Sequence, residues 1–431
     1  RTTWLPAAEV PQVEAVSVPD AVLDMEALAK ADAAGIEAGL RPIVEAYASW
    51  LDGQAAIAEE LPGHLRETAM DAVDEARQVS GQLADGLSYL ISHDEAVLCF
   101  NFMNRVMADQ RVRSQIAVLR AVRPGAADAA LEDEVRSGKL PHHWRVFQLA
   151  FVLMQVRAVM EPSCPVRSGD LARAQLIFFP TGGGKTEAYL GLAALTFAAR
   201  RRQGRIQSPD GALGCDGVAV IMRYTLRLLT SQQFQRAAAL VCAAELERRR
   251  RPEAWGNEPF RLGLWVGSGV TPKRVDEAAR QLKAVNERSS RRVDALQLHS
   301  CPWCGRELGP SDVTVDETLG RVYVHCSDDT GECPFAQGGE VAEGLPVVST
   351  DEEVYRLVPS FIIGTVDKFA RLAREGEATS IFGYVGRKCD RHGYVPLLDD
   401  EGKSDYGSCA IKDNGYHPSK HGHPVAYVHP C

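Results

Sequence analysis

The chain has 431 residues, 45% of them hydrophobic, and a formal net charge of −9. That is enough apolar material for roughly two to four domains with cores of their own, and no apolar run approaches membrane-spanning length, so no membrane partner is expected. The acidic balance excludes nucleic-acid binding through the average field; any such contact must come from a local basic surface.

The chain begins at Arg1 without an initiator Met or a charged-then-apolar leader, which reads as an internal fragment or a trimmed chain. Its eleven cysteines cluster at ligand-like spacings, which favours metal over disulfides and a reducing, cytoplasmic compartment. The first 170 residues lack glycine-rich loops and carry helical periodicity, as in Glu67–Ile91 and Asp94–Val122, with acidic, alanine-rich faces. An α-helical N-terminal domain is therefore expected over residues 1–140, with linkers at Arg123-Pro124-Gly125 and from Gly138 to Pro141.

Beyond Cys164-Pro165 the pattern becomes short β-rich runs alternating with helices, the signature of an α/β fold with a parallel sheet. Strands are expected at Leu176–Phe179, Val218–Met222, Leu262–Val266 and Phe361–Gly364, with helices from Lys185 and Leu226. Together they predict a RecA-like ATPase domain over residues 141–431.

Phe179-Pro180-Thr181-Gly182-Gly183-Gly184-Lys185-Thr186-Glu187 carries the clearest chemistry. Glycines let backbone N–H groups turn inward around phosphate, Lys185 would reach the β and γ phosphates, Thr186 would ligand Mg²⁺, and the following helix points its positive end at the anion. ATP and Mg²⁺ are the expected cofactors, with Lys185 and Thr186 the catalytic pair. Phe179 stands where the strict phosphate-loop pattern has its first glycine, so the stretch resembles motif I of superfamily 2 helicases and translocases more than kinases or GTPases. Upstream, Arg145 and Gln148 form an Arg-x-x-Gln that resembles the adenine-reading element of the same ATPases. A glutamine amide offers one donor and one acceptor, matching adenine's edge. The alternative is a buried helix start in which Phe147 and Phe151 pack and Gln148 is merely solvated.

Downstream, Gly217 to Met222 leads into Arg223-Tyr224-Thr225, in the place of motif Ia, where hydroxyls, amides and backbone N–H groups meet a phosphodiester backbone in that superfamily. Arg223, Thr225 and Gln232 are the candidates there, and Thr365 and Lys368, in a stretch resembling motif Ib, add two more. The basic runs Arg200-Arg201-Arg202 and Arg248 to Arg251 read either as solvated helix ends or as DNA-binding patches.

Cys301-Pro302-Trp303-Cys304-Gly305, followed by Cys326 and Cys333, predicts a zinc-ribbon insertion over residues 295–345. Two pairs of thiolates complete a closed tetrahedral site, so Zn²⁺ would be structural, stapling a core-poor module. Residues 386–431 concentrate further cysteines and histidines, and Cys389, His392, Cys409 and Cys431 are candidates for a second site.

The stretches from Arg145 to Gln148, Pro180 to Tyr189, Met222 to Arg236, Trp265 to Pro272 and Thr365 to Arg371 together resemble the helicase-like DrmA family of DISARM antiphage defence. That resemblance implies a DNA-dependent ATPase working with a DrmB-like partner. No Asp-Glu-x-His box follows an apolar strand after motif Ib, and Asp399-Asp400-Glu401-Gly402 is a poor substitute. The expectation is therefore that the biological protein continues beyond Cys431 and that this stretch alone hydrolyses ATP poorly. An ATP-gated DNA-binding scaffold that recruits partners without unwinding is the alternative reading.

Overall fold

The structure, a computed structural model, describes residues 16–138, 142–172, 174–177, 184–207, 216–225, 231–267, 269–287, 290, 292–372, 376–383, 385–389, 393–396 and 423–424. The chain divides into two compact units, one of Arg1–Asn101 with His143–Leu192 and one of Phe102–His142 with Ala193–Cys431.

Seven helices precede the first described strand: α1 (Met25–Leu28), α2 (Ala33–Glu59), α3 (Gly63–Ser92), α4 (Asp94–Val122), α5 (Asp128–Arg136), α6 (Val146–Met160) and α7 (Lys185–Gln207). In the first unit, Asp24 and Asp32 cap α1 and α2 by accepting the backbone N–H groups of Ala27 and Gly35 at 2.7 and 2.8 Å, which satisfies donors a helix start leaves orphaned. Leu40 and Ile43 of α2, Leu83, Leu87 and Leu90 of α3, and Leu149, Val152 and Val156 of α6 are buried. They recur at the three- and four-residue spacing of an apolar helical face. Asp94–Val122 is a helix with the bounds read from the sequence, and Glu67–Ile91 lies inside α3. Arg123-Pro124-Gly125 does separate α4 from α5, whereas residues 139–141 of the second expected linker lie outside the described residues.

The second unit adds β1 (Val220–Tyr224), α8 (Ser231–Arg250), α9 (Pro252–Trp255), β2 (Leu262–Trp265), α10 (Val275–Asn286), β3 (Val313–Asp316), β4 (Arg321–Val324), β5 (Val347–Val348), α11 (Asp351–Leu357), β6 (Phe361–Thr365), α12 (Val366–Arg371), β7 (Val385–Cys389), β8 (Gly393–Pro396) and β9 (His423–Pro424). Four of these strands form a sheet in the order β1-β6-β2-β5, every pairing parallel. All five residues of β6 are buried, as expected of a strand covered on both faces. One face meets Phe197 of α7, whose ring lies 5.7 Å from those of Phe260 and Phe361. Ile362, Trp265 and Val348 join a second cluster with Val354, Tyr355 and Leu357 of α11. Two antiparallel sheets, β3-β4 and β8-β7-β9, complete the unit.

Three strands expected from sequence are present: Val218–Met222 is shifted to Val220–Tyr224, Leu262–Val266 is one residue shorter, and Phe361–Gly364 extends to Thr365. The fourth is corrected in part. Leu176 and Ile177 are not in a strand, and Leu176 is 88% exposed. Apolar character alone cannot hold a strand without a ladder partner, and none of the described strands pairs with residues 174–177. Phe178 and Phe179 lie outside the described residues, as do residues 226–230 at the expected start of α8. Within the basic runs, Arg201, Arg202 and Arg248 fit neither reading, whereas Arg250 is exposed. Arg201 is buried and pairs with Asp216 at 2.6 Å, Arg202 is buried and donates to the Ala254 carbonyl, and Arg248 is buried against Glu245 at 2.6 Å.

Candidate functional site

The nucleotide candidates converge within the first unit. At the start of α6, Gln148 is 3% exposed; its Oε1 accepts the Arg145 backbone N–H at 2.8 Å and its Nε2 donates to the Gly184 carbonyl at 2.7 Å. Gln148 is thus not solvated. Both halves of its amide are engaged in tying the start of α6 to the glycine that ends motif I. Gly184 sits at φ +91°, and a Cβ there would lie 2.8 Å from Gln148 Nε2, 3.5 Å from Arg145 Nη1 and 3.6 Å from Glu187 Oε2. Only a glycine fits both that backbone conformation and that crowding. Lys185 and Thr186 follow half-buried in the first turn of α7, and Glu187 is buried. Phe151 meets Tyr189 edge-on at 6.5 Å. Pro180, Thr181, Gly182 and Gly183 lie outside the described residues.

Gly184→Ala is accordingly expected to cost about 1–3 kcal/mol in backbone strain and to displace the Gln148 amide. A melting experiment together with titration of a fluorescent ATP analogue checks this. Unchanged stability with unchanged affinity would remove the structural role given to Gly184.

The nucleic-acid candidates sit at the carboxyl ends of adjacent strands in the second unit, since the register pairs Arg223 with Gly364 and Tyr224 with Thr365. Ligands of open parallel sheets gather at that edge. Arg223, near the end of β1, and Thr225, just after it, are exposed, with the Arg223 guanidinium 5.9 Å from the centre of the Phe369 ring, and Gln232 is exposed in the first turn of α8. Thr365 and Lys368 are placed differently from a surface contact. Thr365 is 1% exposed, and its hydroxyl has no hydrogen-bond partner among the described residues. Lys368 is 5% exposed, forms an ion pair with Asp351 and lies 5.9 Å from the centre of the Trp265 ring. Spacing placed both residues near this edge; packing of α11 and α12 against Trp265 decided that neither side chain faces solvent.

Cys301, Cys304, Cys326 and Cys333 are all buried, and their four sulfur atoms lie within 4.8 Å of one another. Sγ–Sγ separations are 3.8 Å for Cys301 to Cys333 and 3.3 Å for Cys304 to Cys326. A tetrahedral zinc with Zn–S bonds near 2.3 Å has an edge of about 3.8 Å, so these side chains could hold a structural metal such as zinc. Burial pushes the Cys301 thiol up, whereas hydrogen bonds with Cys301, Cys326 and Cys333 pull Cys304 down. Backbone bonds shape the first knuckle, with Cys301 N–H donating to the Arg306 carbonyl at 2.7 Å and Gly305 N–H to the Cys301 carbonyl at 2.9 Å.

The knuckle lies against the C-terminal half of α4. Gly305 has φ +80°, and a Cβ on it would come within 2.7 Å of Ala117 Cα. Arg120 is buried, donates to the Cys304 carbonyl at 3.1 Å and pairs with Asp128. Arg306 bridges Asp128 and Asp328, each at 3.2 Å. Burial raises Asp328, but the Thr330 hydroxyl, the Cys333 and Thr330 backbone N–H groups and Arg306 hold it below the usual carboxylate range. Arg113 stacks 4.2 Å over Trp303. Of the possible second site, Cys389 ends β7 opposite Gly393, while His392, Cys409 and Cys431 lie outside the described residues.

Sequence reasoning did not single out Arg120, Asp128, Asp351 or Glu353. Glu353 had a readable signal, since Thr350 and Glu353 form the S/T-x-x-E pattern that starts a helix. Thr350 Oγ1 does accept the Glu353 N–H at 3.2 Å. The arginine-to-aspartate anchors carried no such signal, because their partners come from distant segments.

No described helix is long and apolar enough to cross a membrane. No family model matches the chain. Among curated proteins it matches the DISARM protein DrmA of Bacillus paralicheniformis, with 32% identity over 375 residues. The alignment covers 84% of this chain but 30% of that protein, so the chain spans under a third of its relative's length. On this similarity the chain belongs to the DrmA family of DISARM proteins.

Proposed function

We propose that the chain is part of an ATP-dependent DNA helicase or translocase of superfamily 2 that acts in DISARM restriction of phage DNA together with a DrmB-like partner. In this reading residues 1–140 are a helical N-terminal domain and residues 141–431 belong to a RecA-like ATPase domain carrying a zinc ribbon over residues 295–345 and a Cys/His-rich segment over residues 386–431. The observation that carries it is Gly184, held at positive φ by close neighbours Arg145, Gln148 and Glu187 at the start of a 23-residue helix. That cradle suits phosphate, because a helix start offers unsatisfied N–H groups and partial positive charge. Lys185 would hold phosphate oxygens and Thr186 the Mg²⁺ ion, which together supply electrostatic stabilisation of phosphoryl transfer. Gln148 would exchange the Gly184 carbonyl for adenine. Arg223, Thr225 and Gln232 offer the exposed polar edge along which a DNA backbone would run, joined by Thr365 and Lys368 on opening of α12.

A second reading, an ATP-gated scaffold that binds DNA without processive unwinding, is favoured by the burial of Lys368, since a strand contact held shut suits gating. The intact protein's ATP turnover, measured with and without single-stranded DNA, separates the two. Stimulation by DNA is the expected result; nucleotide binding with unstimulated turnover would replace the motor by the scaffold.

A further inference from the structure

Three consecutive carboxylates at the start of α11 each hold a different segment. Glu352 accepts the Val275 N–H at 3.0 Å and pairs with Arg356 at 2.8 Å, while the Lys273 carbonyl accepts the Glu352 N–H at 3.0 Å. Glu353 accepts the Val322 N–H of β4 at 3.0 Å and pairs with Arg321 at 3.3 Å. Burial raises Glu353 although Arg321 and these hydrogen bonds oppose the shift. The first turn of α11 is therefore fixed from two sides, which leaves Asp351 little freedom to follow a moving partner. Asp351 is itself buried and pairs with Lys368, one residue before the Phe369 ring that packs 5.3 Å from Trp265. Three residues before Lys368 lies Thr365, whose buried hydroxyl is unpartnered among the described residues.

We infer that Asp351 is a positioning residue acting through Lys368: it is an internal counter-ion that occupies the lysine in place of a DNA phosphate, so that engagement of the strand at Thr365 and Lys368 requires the phosphate to displace Asp351. This rests on the strand-contact reading above. A buried ammonium costs free energy unless it is paired, so Asp351 keeps Lys368 folded inward while the edge is empty. A phosphodiester offers the same negative charge, and it also supplies acceptor oxygens for the Thr365 hydroxyl. The exchange replaces one pair by another for Lys368 and leaves the Asp351 carboxylate without the lysine, a cost that the phosphate contacts must offset.

The test is the salt dependence of single-stranded DNA binding by the intact protein without nucleotide. Each phosphate neutralised adds about 0.7 to the slope of log affinity against log salt for single strands. Asp351→Asn is expected to steepen the slope by about 0.7 and to tighten binding at low salt, because Lys368 then has no internal partner. Adding Lys368→Met should return the slope to the wild-type value, and Asp351→Glu should retain it. A purely structural Asp351 would change melting temperature but not the slope, and an unchanged slope in Asp351→Asn would overturn the inference. If Asp351→Asn does not fold, Asp351→Ser is measured in its place, with the same steepening of about 0.7 expected and an unchanged slope refuting the inference. Wild-type protein that binds no single-stranded DNA would instead refute the strand-contact reading itself.

Discussion

Lys185→Ala is expected to lower DNA-stimulated ATP turnover of the intact protein by at least about 10²-fold, the scale seen when one preorganised group facing developing charge is removed. Lys185 supplies the cation of the Gly-Lys-Thr run at the start of α7. A phosphoryl transition state spreads charge over its equatorial oxygens, and a lysine at the helix start meets that charge with three donors. Fold should survive, because Lys185 is half-buried and Gly184 keeps its bond from Gln148. Turnover with saturating DNA, single-stranded DNA affinity and melting temperature would be measured side by side. Loss of turnover with the other two retained supports the phosphate role, while turnover within a few fold of wild type sinks it.

Replacing Cys304 by serine, or stripping metal with a chelator, is expected to release one equivalent of zinc and unfold the segment around residues 295–345. Structural zinc contributes on the order of 10 kcal/mol in small modules near neutral pH, comparable to the whole net stability of an ordinary domain. Within the segment the Trp303 and Phe335 rings meet edge-on at 5.9 Å, and the other buried apolar side chains, among them Leu298, Val313, Val322 and Val324, are small or aliphatic. The arginine anchors on α4 would hold its first knuckle only while Cys304 keeps its carbonyl aimed at Arg120. Metal analysis and limited proteolysis check this. New cleavage confined to the segment is the expected pattern; metal-free wild-type protein that resists protease as well as the untreated sample would remove zinc from the fold. Because thiols must lose their protons to bind metal, zinc release should become easier as pH falls.

Much of the candidate chemistry was legible because it is local. Motif I is consecutive residues, and Cys301 and Cys304 share one tight turn, so their chemistry is set by spacing along the chain. Strands β1, β2 and β6 were legible for a similar reason, each being a short apolar run bounded by breakers. Leu176 and Ile177 look much the same and are not in a strand, which shows where local reading stops: a strand is completed by a neighbour, and neighbours are chosen elsewhere.

The sequence by itself marked the Gly-Lys-Thr run as a candidate phosphate loop and determined the two cysteine pairs, the helical start and the β-rich second half. Only the tertiary structure decided what those residues touch. Gln148 reaches Gly184 across 36 positions, Lys368 reaches Asp351 across 17, and Arg120 reaches the Cys304 carbonyl across 184. Each of these is a polar group that burial would penalise without a partner. The identity of that partner follows from which elements pack together, a property of the whole fold that no single stretch of chain contains.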